Sequence, residues 1–344
     1  MPYTSMTPGG APAANATALL ADISVAAGAQ VIVPPGEYPI DPVSISSRTV
    51  NLVFQPGAVM AAAQPGIAIQ ATNCQTTLDR FNFDGKGLCS VAWKSVFGTF
   101  SGSRLDIKDV GSADVVSPLG SVCLAMSSVH SVRIDRFIGR NVRAKPNNIY
   151  ADQPGLARFL ALYNCDSYDI GQLDFAQGSG DDFDCWHIQD MRTTPTCRGS
   201  ITRARVMIDG NMRRLGKYQG GEHVLQGLYA QKAADFVPYN PSTDVGAHNL
   251  NAVDFAGSQI GSLTILNASI DARPFPVCFA KSVIGPANLT VQNCTMMGSD
   301  KPVTNLIAGP NGKSIGIYFL SDGGATLTQA DNRNYGFAIP IYQK

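Results

Sequence analysis

The sequence predicts an all-β protein whose short strands wind into a stacked coil, a single-stranded parallel β-helix. Three observations carry that prediction: an internal repeat, a composition poor in helix formers, and an N-terminal segment that passes quickly from helix to strand to turn. The repeat is the strongest. Residues 124–134 (LAMSSVHSVRI), 160–170 (LALYNCDSYDI) and 255–265 (FAGSQIGSLTI) align with Ala second, an apolar residue or Cys sixth, Ser eighth and Ile eleventh. Residues 279–291 (FAKSVIGPANLTV) keep the frame with two residues inserted, and residues 265–271 continue like residues 291–297. The copies start 36, 95 and 24 residues apart, and weaker copies near Trp186 and Leu225 would fill the long interval. A unit of a few short strands cannot bury its apolar side alone and must stack on its neighbours. A β-sandwich gives no reason for small residues to recur at matching offsets.

Composition agrees. The 26 basic and 26 acidic residues cancel, so electrostatics favours neither nucleic acid nor an anionic membrane. Only Glu37 and Glu222 of the acidic residues are glutamates, and the remaining aspartates, with 34 glycines and 21 prolines, favour turns over helices. No apolar run is long enough to span a bilayer, and the N-terminus lacks the basic start and apolar core of a secretory signal. These readings predict a soluble chain with no membrane insertion. The eight cysteines are scattered with no CxxC, which points to small buried hydrophobes rather than zinc ligands or a disulfide framework. Asn-x-Ser/Thr triplets at Asn15, Asn267, Asn288 and Asn293 are of a kind that turn-rich chains produce readily.

Taken in order, residues 18–27 read as a short amphipathic helix over the open end of the coil, and residues 31–40 (VIVPPGEYPI) as strand, Pro/Gly turn and strand. The expected organisation is one β-helix domain over 1–344, with a cap at 1–30, coils at 31–310 and a cap or association segment at 311–344. VIVPPGEYPI resembles the first-coil signature of the pectate-lyase-like superfamily of parallel β-helices, which includes polysaccharide lyases, polygalacturonase-type hydrolases and phage tailspike depolymerases. The resemblance implies a right-handed coil, a polysaccharide or oligosaccharide partner and an extracellular or virion-associated location. Tailspike relatives are trimers, so it also allows a homotrimer.

Three charged segments follow the Ile-ending strands and should emerge at one corner of neighbouring coils. They carry Arg140, Arg143, Lys145 and Asp152; then Asp181, Asp182 and Asp184; then Arg213, Arg214, Lys217, Glu222 and His223. Adjacent carboxylates split their pKa values, so one can serve as acid and the other as base, which glycoside hydrolysis requires. Gly180, Asp181 and Asp182 also resemble the Gly-Asp-Asp element of the polygalacturonases. That resemblance implies acid and base roles for Asp181 and Asp182, and an orienting role for His223 in place of the family's Gly-His-Gly element. It places the family's third aspartate at Asp152 by position. Glu222 is a second candidate carboxylate opposite the pair. Arg143 and Lys145 are similar in spelling to the family's Arg-x-Lys but lie earlier in the chain. Arg213, Arg214, Lys217 and Tyr218 suit a carbohydrate-binding rim of guanidinium forks and an aromatic face. Trp186 is expected inside the coil and His187 outside it, near the aspartates.

Three functions compete on these residues. The first is an endo-acting glycoside hydrolase using paired carboxylates, with no cofactor. The second is a polysaccharide lyase, with Lys145, Arg143 or His223 as base and Ca²⁺ held by Asp181, Asp182 and Asp184. The third is an adhesin that binds glycans without turnover.

Overall fold

In a computed structural model of the chain, the described residues are 2–111, 120–144, 156–179, 182–208, 214–232, 251–256, 260–272, 275–282, 285–298, 313–321 and 323–344. Their strands form one continuous parallel ladder from Val31–Val33 to Ile339–Gln343. The architecture is a single-stranded parallel β-helix with a capping helix, right-handed as parallel crossovers are. Each coil contributes to three faces. On the first, strands Ser121–Ser127, Leu156–Tyr163, Asp182–Gln189, Arg214–Gln219, Asn251–Phe255, Val277–Lys281, Ile315–Phe319 and Ile339–Gln343 pair in sequence. The second and third are shared by long strands such as Ser167–Ser179 and Arg198–Ile208, which bend from one face into the next.

The helix runs over Pro12–Ala26, six residues earlier than its apolar pattern suggested, because Pro12 sits at the first turn where its missing N–H costs nothing. Leu19 and Ile23 are buried against the first coil, and left-handed Ala27 followed by Gly28 ends the helix. Corners between faces are also left-handed. Asn267 and Asn293 take this conformation at matching places, and the Asn293 amide donates to Asn267 Oδ1 at 2.8 Å. Turn chemistry thus explains two of the four Asn-x-Ser/Thr triplets.

The repeat maps onto the ladder with two corrections. Leu124 pairs with Leu160, Leu160 with Trp186, and Ile134 with Ile170. Leu225, however, belongs to the second face, in the row of Ile201 and Ile265, and the first-face partner of Trp186 is Gly216. No insertion separates the last two copies. Phe255 pairs with Lys281 and Ile265 with Val291, a uniform 26 residues, so the side chain at the Phe255 position of the next coil is a lysine. Within 311–344, expected as a cap or association segment, Ile315–Phe319 and Ile339–Gln343 add two further strands to the first face.

The interior is filled by rings and aliphatic side chains, among them Trp93, Phe159, Phe183, Trp186 and Tyr218, all fully buried. Trp186 is accommodated by Gly216 on the next coil, where a Cβ would collide with the indole. Gly216→Ala is therefore expected to destabilise by about 1–3 kcal/mol through overpacking, read as a lower urea midpoint. A second prediction concerns the corner after the first face. The fully buried Asp190 carboxylate accepts the backbone N–H groups of Thr196 and Cys197 at 2.7 and 2.8 Å and the Arg192 guanidinium at 2.7 Å. Burial pushes its pKa up, but these donors outweigh that and hold it at about 2 against an ordinary 3.8. A depressed carboxylate contributes stability that is present above pH 3.8 and is lost as pH falls toward 2. Asp190→Asn should remove about 2 kcal/mol at neutral pH and flatten the acid limb of an unfolding titration.

Candidate functional site

On the first face the side chains do not alternate strictly. In the strand Asp182–Gln189, Phe183, Cys185, Trp186 and Ile188 all join the main core, leaving Asp184 and His187 outside it at a spacing of three. The same spacing recurs on the next coils, where Leu215, Gly216 and Tyr218 stack on Cys185, Trp186 and Ile188, and Ala252, Val253 and Phe255 on those. Two outward rows result. One carries Arg158, Asp184 and Arg214; the other carries Ala161, His187, Lys217 and Asp254. Adjacent strands lie ~4.8 Å apart, so each row is a ladder of close neighbours. Apolar outer patches flank this polar strip: Val91, Val122 and Ala161 on one side, Val277, Ala280, Ile315 and Tyr318 on the other.

Asp184 is the centre of the strip and wholly buried. Its Oδ1 accepts from Arg214 Nε at 2.6 Å, and its Oδ2 lies 3.7 Å from Arg158 Nε and 3.8 Å from His187 Nδ1. Arg158 donates from Nη1 to the Tyr163 hydroxyl at 2.9 Å, and the Tyr163 ring meets the imidazole edge-on at 5.6 Å. His187 Nε2 is 2.9 Å from Gln219 Oε1. The amide oxygen accepts, so the neutral ring carries its proton on Nε2 and leaves the Nδ1 lone pair facing Asp184 Oδ2. Burial, reinforced by the Arg158 and Lys217 cations, pushes the His187 pKa well below its ordinary 6.5, so the imidazole is neutral at pH 7. Asp254, also fully buried, accepts from Asn251 Nδ2 at 3.1 Å and Ser282 Oγ at 2.8 Å. Burial raises its pKa, and the Arg214 and Lys217 charges hold back that rise.

Three buried acceptor atoms on this face, Asp184 Oδ2, His187 Nδ1 and Asp254 Oδ1, have no hydrogen-bond donor among the described residues. Two of them face each other across 3.8 Å. Buried polar atoms are almost always paired, so each of these orphans calls for a partner such as an ordered water, an ion or a ligand. Among the described residues of the strip, the cations Arg158, Arg214 and Lys217 outnumber the carboxylates Asp184 and Asp254.

The structure brings together Asp184, His187, Arg214 and Lys217 from the sequence candidates and separates Arg143, Tyr218, Glu222 and His223 from them. Asp152, Asp181, Lys145 and Arg213 lie outside the described residues, as does the side chain of Asp182. Tyr218 is not a rim aromatic, because it stacks in the core row of Ile188 and Phe255 and is fully buried. His223 is likewise interior. Its Nε2 donates to the Gly220 carbonyl at 2.6 Å and its Nδ1 accepts from the Tyr168 hydroxyl at 3.0 Å, and burial pushes its pKa down to about 4. Neither residue faces an external polymer. Glu222 is on the second face, exposed and 3.3 Å from Arg198, and so is remote from the first-face strip. Arg143 ends the third-face strand Ser131–Arg143 and bonds Asn141 at 2.6 Å. Arg214 is a buried partner of Asp184 rather than an exposed fork. Asp184 is thereby committed to guanidinium groups, which removes it from the proposed Ca²⁺ ligand set. No group of three His, Cys, Asp or Glu among the described residues has metal-binding geometry.

Sequence reasoning missed Arg158, Tyr163, Gln219, Asn251 and Asp254. The available signal was polar pairs three apart on successive coils: Asp184 with His187, Arg214 with Lys217, and Asn251 with Asp254.

The fold and this strip define a parallel β-helix protein with a buried, cation-rich polar site on one outer face. No protein-family model and no curated protein matches the chain. Among solved structures it is similar to the A-module of the mannuronan C-5 epimerase AlgE4 from Azotobacter vinelandii, at 11% identity over 99% of this chain and 97% of that chain, with a TM-score of 0.48. It is also similar to the AlgE6 A-module from the same organism, at 11% identity over 100% and 98%, with a TM-score of 0.47. No helix among the described residues is long and apolar enough to cross a membrane.

Proposed function

We propose that this protein is an enzyme acting on a uronate-bearing polysaccharide, with His187 abstracting the proton beside the uronate carboxylate. One observation carries the reading: a neutral, buried imidazole whose Nδ1 has no hydrogen-bond donor among the described residues, set among three cations on the two flanking coils. Removing the C5 proton leaves an electron pair that delocalises into the C6 carboxylate. Arg158, Arg214 and Lys217 would stabilise the charge that develops there, in a site from which burial excludes water. The electron pair then has two outcomes. Expelling the C4 oxygen forms a C4–C5 double bond and cleaves the chain, with the departing oxygen taking a proton. Accepting a proton on the opposite face inverts C5 and leaves the chain intact. Asp254, biased towards its protonated form, is the candidate donor for either step.

Hydrolysis fits the described carboxylates less well. Asp184 and Asp254 are two strand spacings and three residues apart, ~14 Å along the backbone, whereas carboxyl pairs in glycosidases lie about 5 to 9.5 Å apart. A hydrolytic pair would rest on Asp181 and Asp182. The test is to incubate the protein with polyuronates and neutral polysaccharides and to follow unsaturated-uronyl absorbance, reducing ends and exchange of C5 hydrogen with deuterated water. Absorbance, or exchange without new ends, supports proton abstraction. Reducing ends with neither absorbance nor exchange would transfer the assignment to hydrolysis.

A further inference from the structure

The His187 ring is addressed from both ends. Its Nδ1 lies 3.8 Å from Asp184 Oδ2, and its Nε2 lies 2.9 Å from Gln219 Oε1. Gln219 comes from the following coil, where it closes the strand Arg214–Gln219 two residues after Lys217, the register partner of His187. The corner fixes its backbone. The Asp190 N–H donates to the Gln219 carbonyl at 2.6 Å, and Gly220 turns the chain at a φ of +68°, where a Cβ would strike the Asp190 carbonyl. Asp190 is anchored in turn by Arg192 and by the backbone of Thr196 and Cys197.

A neutral imidazole has one ring proton to place, and the two ends compete for it. On Nε2 the proton bonds Gln219, but two buried acceptors, Nδ1 and Asp184 Oδ2, are left facing each other without a donor among the described residues. On Nδ1 it would satisfy both in a charge-assisted bond once ring and carboxylate closed by about 1 Å. That second arrangement turns the one ring lone pair away from Asp184. With the Gln219 oxygen already at full hydrogen-bond distance, the first arrangement holds.

We propose that Gln219 is a positioning residue that holds the His187 proton on Nε2 and so keeps Nδ1 available as the base. The inference rests on the reading of His187 as the proton abstractor and deepens it, because the competence of the ring is decided by an amide on the neighbouring coil that takes no part in the proton transfer. The hydrogen bond made by one ring nitrogen sets what the other can do. Leaving two acceptors unpaired in a buried site is costly, and such costs persist where the surrounding structure enforces them. Here the enforcing contact is the strand end at Gln219, locked to the corner at Asp190.

The test reads the proton directly. Ring-nitrogen NMR of the full chain with isotopically labelled histidine distinguishes the two tautomers, and the signal that disappears in His187→Gln assigns this ring among the four histidines. The spectra are taken at about pH 8, alkaline enough to keep the imidazole neutral even beside an added carboxylate. The wild type should carry the proton on Nε2. Gln219→Glu, which offers an ionised acceptor, should keep it there, whereas Gln219→Leu should move it to Nδ1 with the circular dichroism of the folded coil unchanged. On the susceptible polyuronate at the same pH, Gln219→Leu should lower kcat by ~10²-fold with KM within a few-fold, and Gln219→Glu should retain most of the turnover. A wild-type proton on Nδ1, or a proton that stays on Nε2 in Gln219→Leu, overturns the positioning role, and the wild-type spectrum decides this even if Gln219→Leu fails to fold. A proton that moves to Nδ1 while turnover persists overturns His187 as the base. Absence of turnover on every polyuronate, with the tautomers as expected, overturns the uronate reading alone, since the spectra need no substrate.

Discussion

His187→Gln is expected to lower turnover on the susceptible polyuronate by ~10²–10⁴-fold, the range over which a positioned general base contributes, while leaving substrate affinity within a few-fold. The glutamine keeps the site polar and of similar size but has no basic lone pair at the Nδ1 position. The pH profile gives a second readout. Catalysis needs the neutral ring, whose pKa burial and the Arg158 and Lys217 charges place well below 6.5. Activity should thus be level through pH 6.5 and fall only on further acidification. A profile that instead breaks near 6.5 would mean that the titrating group is exposed and is not His187. The same depression makes the site a source of acid lability. Below pH 6.5 the unfolded chain binds a proton that the folded imidazole refuses, so stability declines with acidification until the folded pKa is reached.

Arg214→Met should be the most destabilising substitution on the outer face, costing about 3–5 kcal/mol, because it strips a wholly buried carboxylate of its 2.6 Å partner. Adding Asp184→Asn removes the stranded charge and should recover a substantial part of the loss, a coupling of order 1–3 kcal/mol in a double-mutant cycle read by urea unfolding. The double variant is expected to fold and to remain inactive, since two of the groups framing His187 have lost their charge. Equal destabilisation by the single and double variants would show that the methionine fails to pack rather than that Asp184 is left unpaired.

These two residues also show where sequence reading succeeds and where it stops. The repeat at residues 124–134 and 160–170 gave the right register, Leu124 against Leu160 and Ile134 against Ile170, because small and apolar residues recur where the coil demands them. The same logic failed between Phe255 and Phe279, where matching two phenylalanines hid a uniform spacing and an interior lysine, Lys281. For the site, the conspicuous Asp181–Asp182 pair and the Gly-rich stretch around Glu222 drew attention to presumed loops. The structure instead places Asp184 and His187 within a strand, and likewise Arg214 and Lys217. Strict alternation would have set Asp184 and Trp186 on one side. The two consecutive interior residues, Cys185 and Trp186, change the outward spacing to three and bring Asp184 and His187 to one face.

The sequence by itself determined that this chain stacks strands into a parallel coil, since a repeat of short apolar strands and turn residues has no other way to bury its apolar side. It also determined that charged residues gather on coils near the middle of the chain. Only the tertiary structure decided which of them meet. Neighbours in the site come from different coils, Arg158 with Asp184 and Arg214, and His187 with Gln219 and Lys217. Their contact depends on inter-coil register and on which side of the strand each faces, and a single residue's slip reverses that side. Burial then set the protonation of His187 and Asp254, a property that arises from the packing around a side chain.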